Sequence, residues 1–333
     1  MGLSRRTLVT GATAALGAAV PLAAPQSATA KNVKSLDARI RRLFADLPGD
    51  VGVKIVAPGK HDLRVQINSS KQLFVASAIK TFVLCEALRQ SDSPTVVQTI
   101  SQRQLRLNAS VWNVDSATFN PPHLSGKVSQ RTALEAMILH SDNTGTDMTF
   151  KLVGANNVRE FIASAGLTKT MVPNSTRVFI GYLLGALDYE NFTWEQLVAA
   201  ADDPFVNPPL NDVQSLASSP DDLVSYYRRA LQGEFFENDA TLNEFRRILA
   251  MGDGIWLVPL PLGVSAFVKG GSIDIPGFHA LCIPGAMFFE DRWVYFCTAI
   301  NWYAAAESDP ATVGAFAEAT RRALAMVKDA LSD

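Results

Sequence analysis

The sequence predicts an α/β (α+β) protein: an antiparallel sheet of about five strands, flanked by N- and C-terminal helices and carrying an inserted all-helical domain. Three observations point there. Strand-like segments lie near both ends of the chain, an amphipathic helical pattern stands at each end, and the stretch between is dominated by helical periodicity. The 333 residues, 48% hydrophobic, can bury one large or two moderate cores. A net charge of -2 supplies no bulk attraction toward nucleic acid or acidic lipid.

The first thirty residues stand apart. Ser4-Arg5-Arg6-Thr7-Leu8 precedes an apolar Ala/Gly/Leu-rich run to Ala24, and small residues follow, ending Ala28-Thr29-Ala30. That is the charged, hydrophobic and cleavage-site pattern of an export signal over residues 1–30, and the paired arginines suggest the twin-arginine route. The alternative is a membrane-anchoring or amphipathic helix, but the run contains Gly11, Gly17 and Pro21 and is short for a span. The expected product begins near Lys31 and is periplasmic or secreted, with no membrane contact after signal removal and no lipid anchor. A G-A-T-A-A-L-G string near Gly11 has dinucleotide-loop spelling, yet it follows no strand and falls in the removed segment.

From Ser35 to Leu47, Leu36, Ile40, Leu43 and Phe44 recur at helical spacing and Pro48-Gly49 ends the pattern. Val51–Val56 and Leu63–Ile67 read as two strands. Ala266–Val268, His279–Phe289 and Trp293–Ile300 read as three more, the last two joined by a charged turn at Glu290-Asp291, and Pro310–Leu331 closes the chain as a long amphipathic helix. Between them, Phe82–Leu88, Ala133–Leu139, Asp147–Leu152, Val158–Ala165 and Asp221–Leu231 are helical in pattern. The expected division is a sheet domain of residues 31–74 and 232–333, with a helical domain of 75–231 inserted and a site in the cleft between them. Residues 173–220 are rich in turn formers and aromatics and read as a long irregular loop, whose aromatics argue for a lid rather than disorder.

Cys85, Cys282 and Cys297 make an odd number of thiols. A bond between the last two, on neighbouring strands, is compatible with export, while three buried thiols suit a protein folded before export. His61, His123, His140 and His279 lack ligand spacing and no paired cysteines accompany them, so no metal and no other cofactor is expected.

Three polar motifs carry the chemistry. Ser77 is followed three residues later by Lys80 in F-V-A-S-A-I-K-T-F-V-L. A serine hydroxyl needs a base within reach, and residues three apart share one face of a helix, so Lys80 would stand beside the Ser77 hydroxyl. Burial and a second cation would lower the lysine pKa enough to supply a neutral amine. A capping serine followed by a solvated lysine has the same spelling. Ser141-Asp142-Asn143 follows a helical pattern and precedes another, where an N-cap is the bland reading. The functional one makes Ser141 a proton shuttle to the leaving group and Asn143 a partner of substrate and Lys80, with Asp142 bracing the loop. Lys269-Gly270-Gly271 lies among strand residues, and its glycines mark either a bulge or close backbone approach. Lys269 would then face Ser141 and a substrate carboxylate, Gly271 would bring the strand against substrate, and the Ser272 N-H would join that of Ser77 as an oxyanion hole. Trp112 reads as an aromatic wall of the cleft or as ordinary packing.

Taken together, S-x-x-K, S-D-N and the lysine-glycine strand resemble the serine β-lactamase and penicillin-binding superfamily, nearest the class A β-lactamases, over nearly all of the expected product. The resemblance extends through Gln130 to Asn143 and on through Thr144-Gly145-Thr146-Asp147. It implies a β-lactamase/transpeptidase-like fold, with Ser77 as nucleophile, Lys80 as general base, Ser141 as relay and Lys269 as electrostatic clamp. Two departures matter. Members of class A carry a deacylating glutamate two residues after an arginine; the arginine matches Arg177, and the glutamate position falls on Phe179, which cannot accept a proton. Asp188, Glu190 or Glu195 would have to fold back into the cleft to replace it. The usual K-T-G also reads Lys-Gly-Gly, which removes a hydroxyl that Ser272 could replace.

The expected function is that of an exported, monomeric serine hydrolase acting on a small-molecule acyl substrate. β-Lactam hydrolysis with slow deacylation leads. A D,D-peptidase or an esterase/amidase is the runner-up, and a non-catalytic β-lactam-binding or sensing protein is the rival from another class.

Overall fold

The computed structural model describes residues 26–59 and 62–332. Most of the export-signal segment, with Lys60 and His61, lies outside the described residues. The first described helix runs Gln26–Phe44. Six strands then build one antiparallel sheet: β1 (Asp50–Ala57), β2 (Leu63–Ile67), β3 (Ser265–Val268), β4 (Gly271–Ile275), β5 (Phe278–Phe289) and β6 (Arg292–Trp302). Their order is β2-β1-β6-β5-β3, with β4 also paired to β5. β3 and β4 thus lie end to end along one edge of β5, so the sheet is five strands wide. The expected single strand around Lys269 is instead broken there, with Lys269 and Gly270 in the gap.

β5 and β6 are buried almost end to end, because both faces of the sheet are covered. Glu290 and Asp291 join them with φ of 47° and 57°, the left-handed pair that matches the twist of a two-residue hairpin. On one face Leu36, Ile40 and Phe44 of the first helix and Phe316, Ala323 and Val327 of the last, Pro310–Ser332, pack on Val53, Ile55 and Phe296. On the other face lie the helices between β2 and β3. Among them Lys80–Arg89 is buried at every position from Lys80 to Leu88, the pattern of a central helix rather than a surface one. Pro220–Leu231 lays Tyr226 and Tyr227 beside Phe82 and the two strand cysteines. Cys282 and Cys297 are free and buried, with Sγ atoms 3.9 Å apart, and burial pushes the Cys297 thiol well up. Among the described residues no helix is long and apolar enough to cross a membrane.

The stretch 173–220 is not an irregular loop. It holds helices Thr176–Leu183 and Trp194–Ala199 and returns as a short strand, Ala217–Ser218, paired with Leu73–Phe74. The starts were legible: Ser175 caps Val178, and Thr193 with Gln196 forms a reciprocal capping box.

Candidate active site

The nucleophile turn is pinned from three sides. The Asn301 side chain of β6 accepts from Phe74 N at 2.8 Å and donates to Phe74 O at 2.9 Å, and Val75 N donates to Leu216 O. Ala76 then adopts φ 47°, a left-handed conformation costly for a residue with a Cβ, and a 3-10 turn Ala76–Ile79 leads into the helix that starts at Lys80. The reversal leaves Ser77 partly exposed on a cleft while Lys80, one turn on, is fully buried.

Lys80 Nζ donates to the Ser141 carbonyl, to Ser141 Oγ at 3.1 Å and to Asn143 Oδ1 at 2.8 Å. Lys269 Nζ reaches the same Ser141 Oγ at 3.1 Å from the other side. One hydroxyl therefore sits between two lysine Nζ atoms. Burial, and secondarily the charge of Lys269, lower the Lys80 pKa to about 7. Burial also lowers that of Lys269, against the opposing pull of Asp253. Asp253 holds Lys269 Nζ with both carboxylate oxygens, at 2.9 and 2.7 Å, and accepts from Gly270 N at 2.9 Å.

Ser141 has φ 54°, a second strained backbone at the site, and Asp142 braces it. The buried Asp142 carboxylate caps the next helix at Gly145 N and accepts from Thr118 N and Phe119 N, so it acts on backbone alone. Asn143 Nδ2 donates to Val114 O, which orients its carbonyl oxygen toward Lys80.

Gly271 answers why a glycine opens β4. A Cβ there would stand 2.1 Å from Val75 O, 2.6 Å from Ala78 N and 2.9 Å from Ser77 N. The close approach is to the nucleophile turn itself, which brings Ser272 beside Ser77 on the cleft wall. Gly271→Ala is expected to cost about 1–3 kcal/mol of stability and to displace the turn, because backbone cannot step aside as a side chain can. Thermal melts alongside labelling of Ser77 check it; an unchanged melting temperature with unchanged labelling would contradict the close approach.

The cleft holds about 960 Å3. Ser77, Ser141, Asn143 and Ser272 line one side; Phe179, Ile180, Leu183 and Leu197 of the 173–220 stretch line the other. Phe179 is buried and stacks on Phe74, ring centroids 5.7 Å apart. Arg177 turns away from the cleft and donates to the carbonyls of Ala109, Ser110 and Trp112. Asp147 fixes the start of this helix by accepting from Thr176 N, Thr176 Oγ1 and Arg177 N.

The structure gathers Ser77, Ser141, Asn143, Ser272 and Phe179 on one cleft, with Gly271 against the Ser77 turn and both lysines behind the wall, and leaves four candidates elsewhere; the hydrogen bonds of Lys80 Nζ go to Ser141 and Asn143 rather than to Ser77. Trp112 packs edge-on against Trp194 and donates to Leu124 O, and Val114 and Asp115 take its place on the wall. Glu190 and Glu195 are exposed and line a separate concavity with Arg177, because the 3-10 turn Tyr189–Asn191 and the capping box point them outward. Asp188 is exposed as well and accepts from Asn191. Asp253, sixteen residues before Lys269 in a Gly-Asp-Gly turn, carried no periodic signal. Among the described residues no group of three or more His, Cys, Asp or Glu side chains is placed to hold a metal ion.

The family pattern described as the beta-lactamase enzyme family matches residues 35–250. No curated protein matches the chain in sequence. Among solved structures, the TLA-1 extended-spectrum β-lactamase superposes with a TM-score of 0.65 at 17% identity, over 90% of this chain and 99% of that one. A class A β-lactamase from Mycobacterium abscessus gives 0.65 at 17%, over 90% and 100%. A PBP-A variant, solved as an acyl-enzyme complex with penicillin G, gives 0.65 at 16%, over 89% and 97%. At these identities the likeness is one of fold.

Proposed function

Because the chain belongs to the beta-lactamase enzyme family, we propose that it is an exported, monomeric serine hydrolase that forms an acyl-enzyme on Ser77, with β-lactams as the leading substrate class. The observation that carries this is the shared Ser141 hydroxyl, 3.1 Å from both lysine Nζ atoms, with Lys80 brought to about 7 one turn from a cleft-facing serine.

In the proposed reaction, neutral Lys80 takes the Ser77 proton as Oγ bonds to the acyl carbon. The N-H groups of Ser77 and Ser272 receive the oxyanion, at the entry to a helix whose dipole favours negative charge. Ser141 passes a proton to the departing nitrogen and is resupplied from Lys80, which completes the transfer from serine to leaving group. Lys269 stabilises the charge around Ser141, and Asn143 positions both Lys80 and the substrate. Hydrolysis of the ester then needs a base for water. The aligned position is the stacked ring of Phe179, so deacylation is slow unless Lys80 serves both steps.

That ring also favours a second reading, a β-lactam trap or sensor. The Lys-Gly-Gly motif leaves D,D-peptidase and esterase/amidase chemistry open. One experiment separates them: a chromogenic cephalosporin followed by both absorbance and intact mass. A burst of about one equivalent with mass added at Ser77 and little turnover marks a trap, and steady turnover marks a hydrolase. Ser77→Ala is expected to lose the adduct while keeping the fold; an equal adduct in that variant removes Ser77 as nucleophile.

A further inference from the structure

The charges around the cleft are one-sided. Asp115, Asp202, Asp203, Asp274 and Glu307 line it, all exposed, while no lysine or arginine does among the described residues; His140 is the sole basic type. The two lysines of the site are buried behind the wall. Lys269, the cation to which the resemblance assigns a substrate anion, is already engaged: Asp253 binds it through both oxygens, and Gly270 O and Ser141 Oγ take its remaining directions. Asp253 is also held in place by Gly270 N, and its side chain is 21% exposed.

An ammonium with three donors and four acceptors within reach has no free donor for an incoming carboxylate. To bind one, Lys269 would have to release Asp253, leaving two carboxylates to share one cation. Gly270 contributes no side-chain hydroxyl as a substitute. The acidic rim adds a long-range repulsion that lowers the encounter rate of anions.

We infer that Asp253 is a specificity-determining residue, which by occupying Lys269 makes this cleft select acyl substrates that carry no negative charge at the end bound beside Lys269: neutral esters and amides, or cationic acyl donors, over carboxylates. The inference rests on the acyl-transfer reading of Ser77 and names the substrate class of that same site.

The test uses a matched pair of β-lactams that differ only in a free carboxylate against its methyl ester, with acylation of the full-length protein followed by intact mass. The wild type is expected to acylate with the ester about tenfold faster or more. Asp253→Asn keeps the acceptor for Gly270 N and removes the charge, and is expected to shift the ester-to-carboxylate ratio about tenfold toward the carboxylate. A general loosening of the strand would slow both donors and leave the ratio unmoved. Asp202→Asn/Asp203→Asn, on exposed positions, is expected to raise the carboxylate rate selectively at low salt and to lose that advantage at high salt. A wild type that prefers the carboxylate, or a ratio unchanged in Asp253→Asn, overturns the inference. If neither donor adds mass at Ser77, the acyl-transfer reading itself has failed, and this inference with it.

Discussion

Lys80→Met is expected to slow acylation of Ser77 by about 10²–10⁴-fold, the contribution of a positioned general base. In the wild type the same step should fall about tenfold for each pH unit below about 7 and level off above it, since only the neutral amine accepts the proton. The variant should lack that inflection. Stability carries the same signature with a definite sign. Lys80 is held below its ordinary 10.5, so between about 7 and 10.5 the unfolded chain binds a proton at this residue that the folded one does not. Its contribution to stability therefore rises with pH across that window. Urea melts at pH 7 and pH 9.5 should show the variant losing ground to the wild type as pH rises. Acylation that keeps its full rate and its inflection in the variant would assign the base elsewhere.

Phe179→Glu carries the second large effect. A carboxylate at the position of the stacked ring is expected to shorten the acyl-enzyme lifetime by about 10²-fold or more, by activating the water that a phenyl ring cannot. The substitution also gives up the packing of a buried ring on Phe74, and truncations of buried rings cost about 3–5 kcal/mol. Phe179→Gln is the control: it should lose similar stability and leave the lifetime long. Following the adduct mass over time after a short pulse of β-lactam reads both. Equal lifetimes in the Glu and Gln variants would show that the ring does not occupy the water-activating position, and would move the search for a deacylating group to the cleft-lining Asp202 and Asp203.

These two expectations differ in origin. The pairing of Ser77 with Lys80 is a three-residue spacing on a helical pattern, and the edges of that pattern needed only small adjustment: Lys80–Arg89 against Phe82–Leu88, and Gln130–Leu139 against Ala133–Leu139. The long strands β5 and β6 and their turn were equally plain, because apolar runs of that length bounded by a charged pair have few other uses. Residues 173–220 misled because turn formers and aromatics are scattered through the stretch, while the caps at Ser175 and Thr193 that start two helices are single residues. The missed strand β4 is five residues long and opens on the second of two glycines, which masked the alternation of Ser272-Ile273-Asp274-Ile275 that could have found it.

What the amino-acid sequence alone determined is the order and spacing of S-x-x-K, S-D-N and Lys-Gly-Gly, the alternation of strands and helices around them, and the absence of a carboxylate at Phe179. These are local properties, set by neighbours within a turn or two of chain. Only the tertiary structure decided that Asp253 neutralises Lys269, that Gly271 presses on the Ser77 turn, that Phe179 stacks on Phe74, and that Trp112, Glu190 and Glu195 face elsewhere. The depressed pKa of Lys80 belongs with them, since it comes from burial and from a charge carried on another element. Such effects arise where segments far apart in sequence are packed out of water against one another, and no periodicity along the chain records which segments those will be.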